Sequence, residues 1–444
     1  MKQKLTFFFL LLGLFFQAQM VSVGKPLPQV SFDGTSELNY TVALKKGGTY
    51  IFTVHQNKID VEAVLFDSAG NRVAYTDLAD GNNGYDRIEF SPAKDDIYKL
   101  LIRSVENGKK AEGMVWMGIK QISKKDLEKR KKTAEYLKEE NAKAITTLDI
   151  SHFWEAYDQL KYSKTLQDSI NTIQNMYLDL GTDGLKEFQK VRYFSPELFV
   201  ERLKKYKKFY QSIRRSSMLP LEMNDLSGLI DDFKDNYPNA RSAKICFTVG
   251  PMSTGGTISG NYLLIGIEML AGSQDDDVSE IENENLKQEI LSRKKSEIPD
   301  YIREVAMHEY VHTQQRKNSP KACECPLLDN IIREGTASFI SEKLIMKKTE
   351  STGRPSTYVK ENEKKLWEEL KANLCSRDMS RWLYNAASSK DRPGDLGYRM
   401  GYQLAESYYE NAVDKKAAVK EMIETDHPLI FLDRSGYDLK FRTK

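Results

Sequence analysis

The segment His308-Glu309-Tyr310-Val311-His312 contains the residues of this chain that are best suited to do chemistry. Residues four apart on an α-helix lie one turn apart on the same side, so both imidazoles can reach a single cation. Glu309 follows the first histidine and can accept a proton from water beside that cation. The pattern is typical of zinc hydrolases, in which neutral nitrogens hold the metal and a carboxylate is the general base.

A catalytic zinc site needs a third protein ligand, and Glu334 is the best candidate. It lies 22 residues after His312, which leaves room for a loop and a second helix. A carboxylate on the apolar face of that helix is explained if it binds a cation. One alternative is that Glu334 pairs with Arg333, and Asp329 and Glu342 are weaker ligand candidates. The apolar face shared with Glu334 also includes Leu327, Ile331 and Ser338.

The helix that must position the histidines is predicted over Asp300–Lys317, opened by Pro299. Its inward stripe would be formed by Ile302, Val305, Glu309 and His312. The motif is therefore expected to face the core. The alternative is a surface helix that has these residues by chance. Gly335 and Ala337 are small and would let the second helix approach a neighbour closely.

Two tyrosines of a later helical segment, Tyr398 and Tyr402, recur on one face. A phenol near the metal can donate to the oxyanion of a tetrahedral intermediate. Either residue is therefore a candidate oxyanion donor, with ordinary core packing as the alternative.

A β element interrupts the helical part of the chain. Lys244–Val249 and Asn261–Met269 read as strands, and Gly250–Gly260 reads as a flexible turn between them. A strand beside a zinc helix can pair its free edge with an extended peptide substrate. A small buried hairpin explains the same pattern equally well.

The fold class predicted for the whole chain is multidomain α and β. Residues 19–122 contain seven short β-rich runs separated by turns, among them Leu38–Leu44 and Val61–Phe66. Seven such runs predict a β-sandwich. Residues 123–143 read as a charged helical linker, and residues 144–444 as a mainly helical domain with a small β element. The loop 77–86 is a candidate Ca²⁺ site, with a solvated acidic turn as the favoured alternative.

Residues 1–18 combine Lys2 and Lys4 with a short apolar run and a small residue, as in a signal peptide. The protein is therefore expected in the periplasm or outside the cell, and no cysteine follows the run to serve as a lipid anchor. Losing both lysines takes the formal net charge from +2 to zero. This balance excludes nucleic acid and bulk membrane binding as charge-driven functions, and no later segment predicts an integral membrane span.

Four cysteines, namely Cys246, Cys323, Cys325 and Cys375, could pair in three ways in an oxidising compartment. Cys323 and Cys325 are poor partners for each other because the loop between them is too short. Zinc binding by this Cys-Glu-Cys segment is a minor alternative, since the usual two-residue spacer is missing.

Several segments also carry family resemblances. The order of "HEYVHTQQ", "REGTASF" and "GYRMGYQLAESYYE" resembles a family of predicted zinc-dependent peptidases of unknown function, related to gliding-motility lipoprotein B. The resemblance covers residues 144–444 and implies a gluzincin-like domain with His308, His312 and Glu334 as ligands and Glu309 as base. The runs "GGTYIFTV" and "DIYKLLIRS" resemble the bacterial pre-peptidase C-terminal domain, which commonly accompanies secreted proteases.

The sequence thus favours an exported metallopeptidase that holds one Zn²⁺ and hydrolyses a peptide or protein substrate. The alternative from another class is a non-catalytic envelope or surface assembly protein with a structural or relic metal site. A serine or cysteine hydrolase is disfavoured because no Gly-x-Ser-x-Gly elbow is present and few histidines lie outside the motif.

Overall fold

The structure is a computed structural model. It describes residues 19–25, 27–76, 83–105, 112–192, 194–316, 325–349, 354–386 and 388–441. The chain divides into two compact units, residues 1–134 and 135–444. The predicted signal peptide and most of the candidate calcium loop lie outside the described residues.

The first unit is a β-sandwich, which confirms the predicted fold class. Its two sheets have the strand orders β1-β3-β8-β5-β6 and β2-β9-β4-β7. The strands are β1 Gln19–Met20, β2 Val30–Phe32, β3 Leu38–Leu44, β4 Tyr50–Asn57, β5 Val61–Phe66, β6 Arg72–Thr76, β7 Asn83–Phe90, β8 Asp96–Ser104 and β9 Gly113–Gln121.

Alternation of buried and half-buried residues explains the sandwich. In β4 the side chains of Tyr50, Phe52 and Val54 are buried, while their neighbours along the strand are more exposed. Phe52 lies opposite Ile88 of β7 and Ile119 of β9 in the antiparallel ladders. One face of this sheet therefore supplies the core between the two sheets.

A charged helical segment follows the sandwich. The predicted linker is two helices, α1 Lys124–Tyr136 and α2 Lys138–Ala142, with Leu137 fully buried between them. Thr133 is the one residue of α1 that is buried. Burial of Leu137 explains why an apolar residue interrupts the charged sequence between the two helices.

The second unit is mainly helical, as predicted. No helix among the described residues is both long enough and apolar enough to cross a bilayer. Its helices are α3 Leu148–Gln159, α4 Leu166–Ile173, α5 Asp183–Arg192, α6 Pro196–Lys205, α7 Lys207–Ser217, α8 Leu226–Asn236, α9 Ile267–Leu270, α10 Glu284–Leu291, α11 Ile298–Gln314, α12 Pro326–Phe339, α13 Arg354–Lys371, α14 Leu396–Asn411, α15 Lys415–Glu424 and α16 Pro428–Ser435.

A four-stranded sheet in this unit has the order β10-β11-β13-β12. Its strands are β10 Ile145–Thr146, β11 Lys244–Thr248, β12 Gly256–Ser259 and β13 Tyr262–Gly266. The prediction of a flexible turn over Gly250–Gly260 was wrong in its second half, where the β-branched pair Thr257-Ile258 extends into an edge strand. The predicted strand over Asn261–Met269 also ends early, since α9 begins at Ile267.

The close approach of helices predicted from Gly335 is present between α12 and α14. A Cβ on Gly335 would lie 1.9 Å from the carbonyl carbon of Gly401, and a Cβ on Gly401 would lie 2.0 Å from the carbonyl oxygen of Ile331. Only glycine fits at this crossing. The crossing fixes α12, and with it Glu334, against α14.

One disulfide joins Cys325 to Cys375. Cys246 is a buried free thiol, and Cys323 lies outside the described residues. The bridge ties the start of α12 to the segment that follows α13. Backbone bonds from Leu328 N to the carbonyl of Leu374 (3.0 Å) and from Leu327 N to that of Ser376 (3.2 Å) reinforce it.

Candidate metal centre

Helix α11 carries both histidines toward the interior of the second unit. Pro299 lies in its first turn, where a missing N–H costs nothing. Ile302 and Ala306 are fully buried, and the side chains of His308 and His312 are only 16% and 10% exposed. The predicted inward orientation of the motif is therefore present.

The donor atoms of His308, His312 and Glu334 converge on one point. The Nε2 atoms of the two histidines lie 3.1 Å apart. Glu334 Oε2 lies 3.1 Å from Nε2 of His312 and 3.4 Å from Nε2 of His308. All three ligand atoms lie within 4.8 Å of one another, and this is the one such cluster among the described residues.

Neighbouring side chains contact the Nδ1 atoms of both histidines, and Gln315 constrains His312. Gln315 donates from Nε2 to the carbonyl of Arg333 (3.0 Å), so its Oε1 faces Nδ1 of His312 at 2.7 Å. Nδ1 of His312 must then carry a proton, so Nε2 is the nitrogen that can hold either a second proton or a metal ion. Ser338 Oγ lies 3.4 Å from Nδ1 of His308. Ring nitrogens and a carboxylate oxygen that meet at one buried point suit a cation, which can replace the proton between them.

The pKa shifts of His312 and Glu334 also favour a cation site. Burial would lower the pKa of His312, but the carboxylate of Glu334 outweighs it and raises the pKa to about 9. Burial would raise the pKa of Glu334, but the two histidines outweigh it and hold this pKa well below its usual range. A field that attracts a proton so strongly also attracts a metal ion. Two nitrogens and one carboxylate oxygen are a donor set that fits zinc.

The side chain of Glu309 extends from α11 to the edge strand β12. A Cβ on Gly256 would lie 2.7 Å from Cγ and 2.8 Å from Oε1 of Glu309, so glycine makes room for this side chain. The charge of Glu309 also contributes to the raised pKa of His312, which means that the carboxylate lies close to the cluster. The candidate base thus faces the edge of a sheet.

Of the two candidate tyrosines, Tyr398 lies at the cluster. Its ring stacks near His308 with a centroid distance of 6.0 Å and an angle of 30°. Burial and then the charge of Glu334 raise the pKa of Tyr398, so its phenol stays protonated. Tyr402 is buried and packs edge-on against Phe339 of α12 at 5.5 Å. The geometry favours Tyr398 as the donor.

The weaker ligand candidates lie outside the cluster. Glu342 is 2% exposed and pairs with Arg399 at 2.5 Å. Burial raises the pKa of Asp329, which lies in the first turn of α12. Arg333 donates to the carbonyl of Arg316. Glu334 is therefore the one predicted third ligand whose carboxylate meets both imidazoles.

The model of the gliding motility protein GldB family matches residues 134–439. The chain belongs to this family. GldB proteins are gliding-motility lipoproteins, and the family is therefore associated with the cell envelope. The match covers the whole metal cluster and leaves out the β-sandwich. No curated protein matches this chain.

Three solved structures that are similar to this chain cover 20–23% of it. The pre-peptidase C-terminal domain of collagenase from Bacillus anthracis is 18% identical, with a TM-score of 0.19, over 23% of this chain and 94% of that one. A periplasmic inhibitor of g-type lysozyme from Aeromonas hydrophila is 15% identical, with a TM-score of 0.18, over 23% and 98%. A mitogen from Yersinia pseudotuberculosis is 10% identical, with a TM-score of 0.17, over 20% and 81%.

Sequence reasoning missed one residue of the site, Tyr384. Its hydroxyl donates to Oε1 of Glu334 at 3.0 Å, and its ring lies edge-on to Tyr398 at 6.4 Å. The segment between α13 and α14 has no regular period and no motif, so nothing in the sequence indicated that it returns to the site.

Proposed function

We propose that this GldB family member is an exported zinc metallopeptidase. One observation carries the proposal: the donor atoms of His308, His312 and Glu334 meet within 4.8 Å, with Glu309 beside them under an edge strand. A structural role alone would need no carboxylate next to the ligands. Export rests on the signal-like residues 1–18.

Zinc fits the donor set, and His308, His312 and Glu334 would hold it. When bound there, the metal would polarise a substrate carbonyl and lower the pKa of water toward about 7. Gln315 keeps the proton of His312 on Nδ1, which leaves Nε2 free to coordinate. Three protein ligands leave a fourth position for water or substrate, as catalytic zinc sites require.

The remaining residues supply the proton transfers. Glu309 accepts a proton from water as the water oxygen bonds to the peptide carbonyl carbon. When the carbon–nitrogen bond breaks, Glu309 passes that proton to the leaving amine. The phenol of Tyr398 donates a hydrogen bond to the developing oxyanion, because it stays protonated beside His308.

The edge strand β12 gives the substrate a place to align. In the described part of the chain, β12 pairs with β13 on one side only, and its first residue, Gly256, contacts Glu309. An extended peptide that adds to this edge would lie next to the candidate base. The substrate class is therefore an unfolded or loop segment of a protein.

The deciding experiment uses the purified full chain and two measurements, its zinc content and its cleavage of a mixed peptide library with and without a chelator. We expect one zinc per chain and cleavage that the chelator abolishes and added zinc restores. The His308→Ala variant should lose both zinc and cleavage. Zinc-loaded protein that cleaves no peptide would favour the non-catalytic envelope role.

A further inference from the structure

Tyr384 forms a hydrogen bond to one of the two oxygens of the Glu334 carboxylate. Its hydroxyl donates to Oε1 at 3.0 Å, while Oε2 faces the histidines at 3.1 and 3.4 Å. A carboxylate without this hydrogen bond can turn both oxygens toward a cation. The bond to Tyr384 thus leaves one oxygen for a metal ion.

The backbone at Tyr384 is strained. Its φ is +57°, in the left-handed region that a bulky residue rarely adopts. The surroundings hold it there. Gly397 N donates to the carbonyl of Trp382 (2.8 Å), and Asn385 and Asp395 exchange hydrogen bonds of 2.8 and 2.6 Å between each backbone N–H and the other's side chain. Strain of this kind persists where the surrounding structure over-determines a functional conformation.

The disulfide anchors both partners of this hydrogen bond. Cys325 lies nine residues before Glu334, and Cys375 lies nine residues before Tyr384. The helix that bears the carboxylate and the segment that bears the phenol therefore begin from one covalent link. This arrangement keeps Tyr384 within reach of Glu334 although the two are 50 residues apart.

We propose that Tyr384 is a positioning residue that holds Glu334 in one-oxygen coordination. It thereby sets the metal affinity and preserves the coordination position that water needs. The inference rests on the metal centre of the proposed function and is independent of whether the protein cleaves peptides. Partners that orient a ligand in this way typically contribute 10–100-fold to metal affinity.

The test measures zinc affinity by chelator competition and the visible spectrum of the cobalt-substituted protein, for the wild type and for Tyr384→Phe. We expect Tyr384→Phe to bind zinc about 10–100-fold more weakly. Its cobalt spectrum should also change, because absorption by Co²⁺ depends on coordination geometry. The matched control is Tyr409→Phe, which removes a hydroxyl from α14, where the ring packs on Phe339. This control should bind zinc as the wild type does.

A second variant guards against misfolding. Tyr384→Gly relieves the strain at positive φ while it removes the same phenol, and it should show the same loss of affinity. Wild-type affinity and spectrum in either folded variant would overturn the positioning role and leave the proposed function intact. A wild-type protein that binds no zinc would overturn both.

Discussion

Glu309 is the residue at which metal binding and catalysis can be separated. It is not one of the three converging ligands, yet it lies close enough to influence the pKa of His312. Glu309→Gln keeps the shape of the side chain and removes the proton acceptor. We expect the zinc content to be unchanged and kcat to fall by about 10²–10⁴-fold. Metal analysis and single-turnover cleavage measure the two effects, and a fully active variant would contradict the assigned base.

A substitution at Gly256 can lower turnover without disturbing the fold. A Cβ there would lie 2.7 Å from Cγ of Glu309, so Gly256→Ala forces this flexible side chain to move. The fold should tolerate the change, whereas kcat should fall by about 10²-fold because the base is misplaced by roughly 1 Å. Gly118→Ala, where a Cβ meets nothing within 4 Å, is the matched control for glycine loss in a strand. Equal kcat values for the two variants would show that the contact with Gly256 does not set the catalytic position of Glu309.

At the scale of elements, the crossing of α12 and α14 decides where Glu334 lies. Gly335→Ala would place a methyl group 1.9 Å from the backbone of Gly401, and the helices would have to separate. We expect a loss of about 1–3 kcal/mol in the free energy of unfolding, together with weaker zinc binding. Denaturant unfolding and chelator competition measure the two.

Gly228→Ala in α8 is the control for that substitution, since a Cβ there meets nothing within 4 Å. It should leave zinc binding unchanged and stabilise the protein by up to about 1 kcal/mol, because alanine favours helix. A Gly335→Ala variant as stable as Gly228→Ala would mean that the helices do not need this close contact.

The elements differ in how far the sequence predicts them. The strand Leu38–Leu44 was predicted to the residue, because buried and more exposed side chains alternate in its second half. Val61–Phe66 was also predicted to the residue, from its run of β-prone residues. The inward face of α12 was equally visible from its period, including Glu334. The edge strand β12 was hidden in a glycine-rich link, because only Thr257 and Ile258 favour a strand there and pairing with β13 includes the residues on either side.

The residues of the site also differ in how far the sequence predicts them. His308, His312 and Glu334 could be found because each stands on a periodic helix, and the structure brings their donor atoms together. The metal and the reaction stay predictions. Tyr384 could not be found, because it depends on a positive φ and on the Cys325–Cys375 bridge, which one sequence does not specify.

At the scale of the whole molecule, Glu268 couples stability to pH. It is fully buried and accepts hydrogen bonds from the backbone N–H groups of Gly250 (2.6 Å) and Met252 (3.2 Å), on the path from β11 to β12. Burial raises its pKa from 4.5 to about 7 despite these bonds. The native state therefore keeps a proton that the unfolded chain releases between these two values.

The sign of the pH dependence follows from this difference in bound protons. Between pH 4.5 and about 7 the native state binds more protons, so the free energy of unfolding falls as pH rises, by about 3 kcal/mol from Glu268 alone. Glu268→Gln, which cannot ionise, should show a shallower fall of the denaturant midpoint between pH 5 and 8. Glu222→Gln, at an exposed position, controls for loss of a carboxylate. Identical pH profiles for the wild type and Glu268→Gln would mean that Glu268 ionises as easily in the native state as in the unfolded chain.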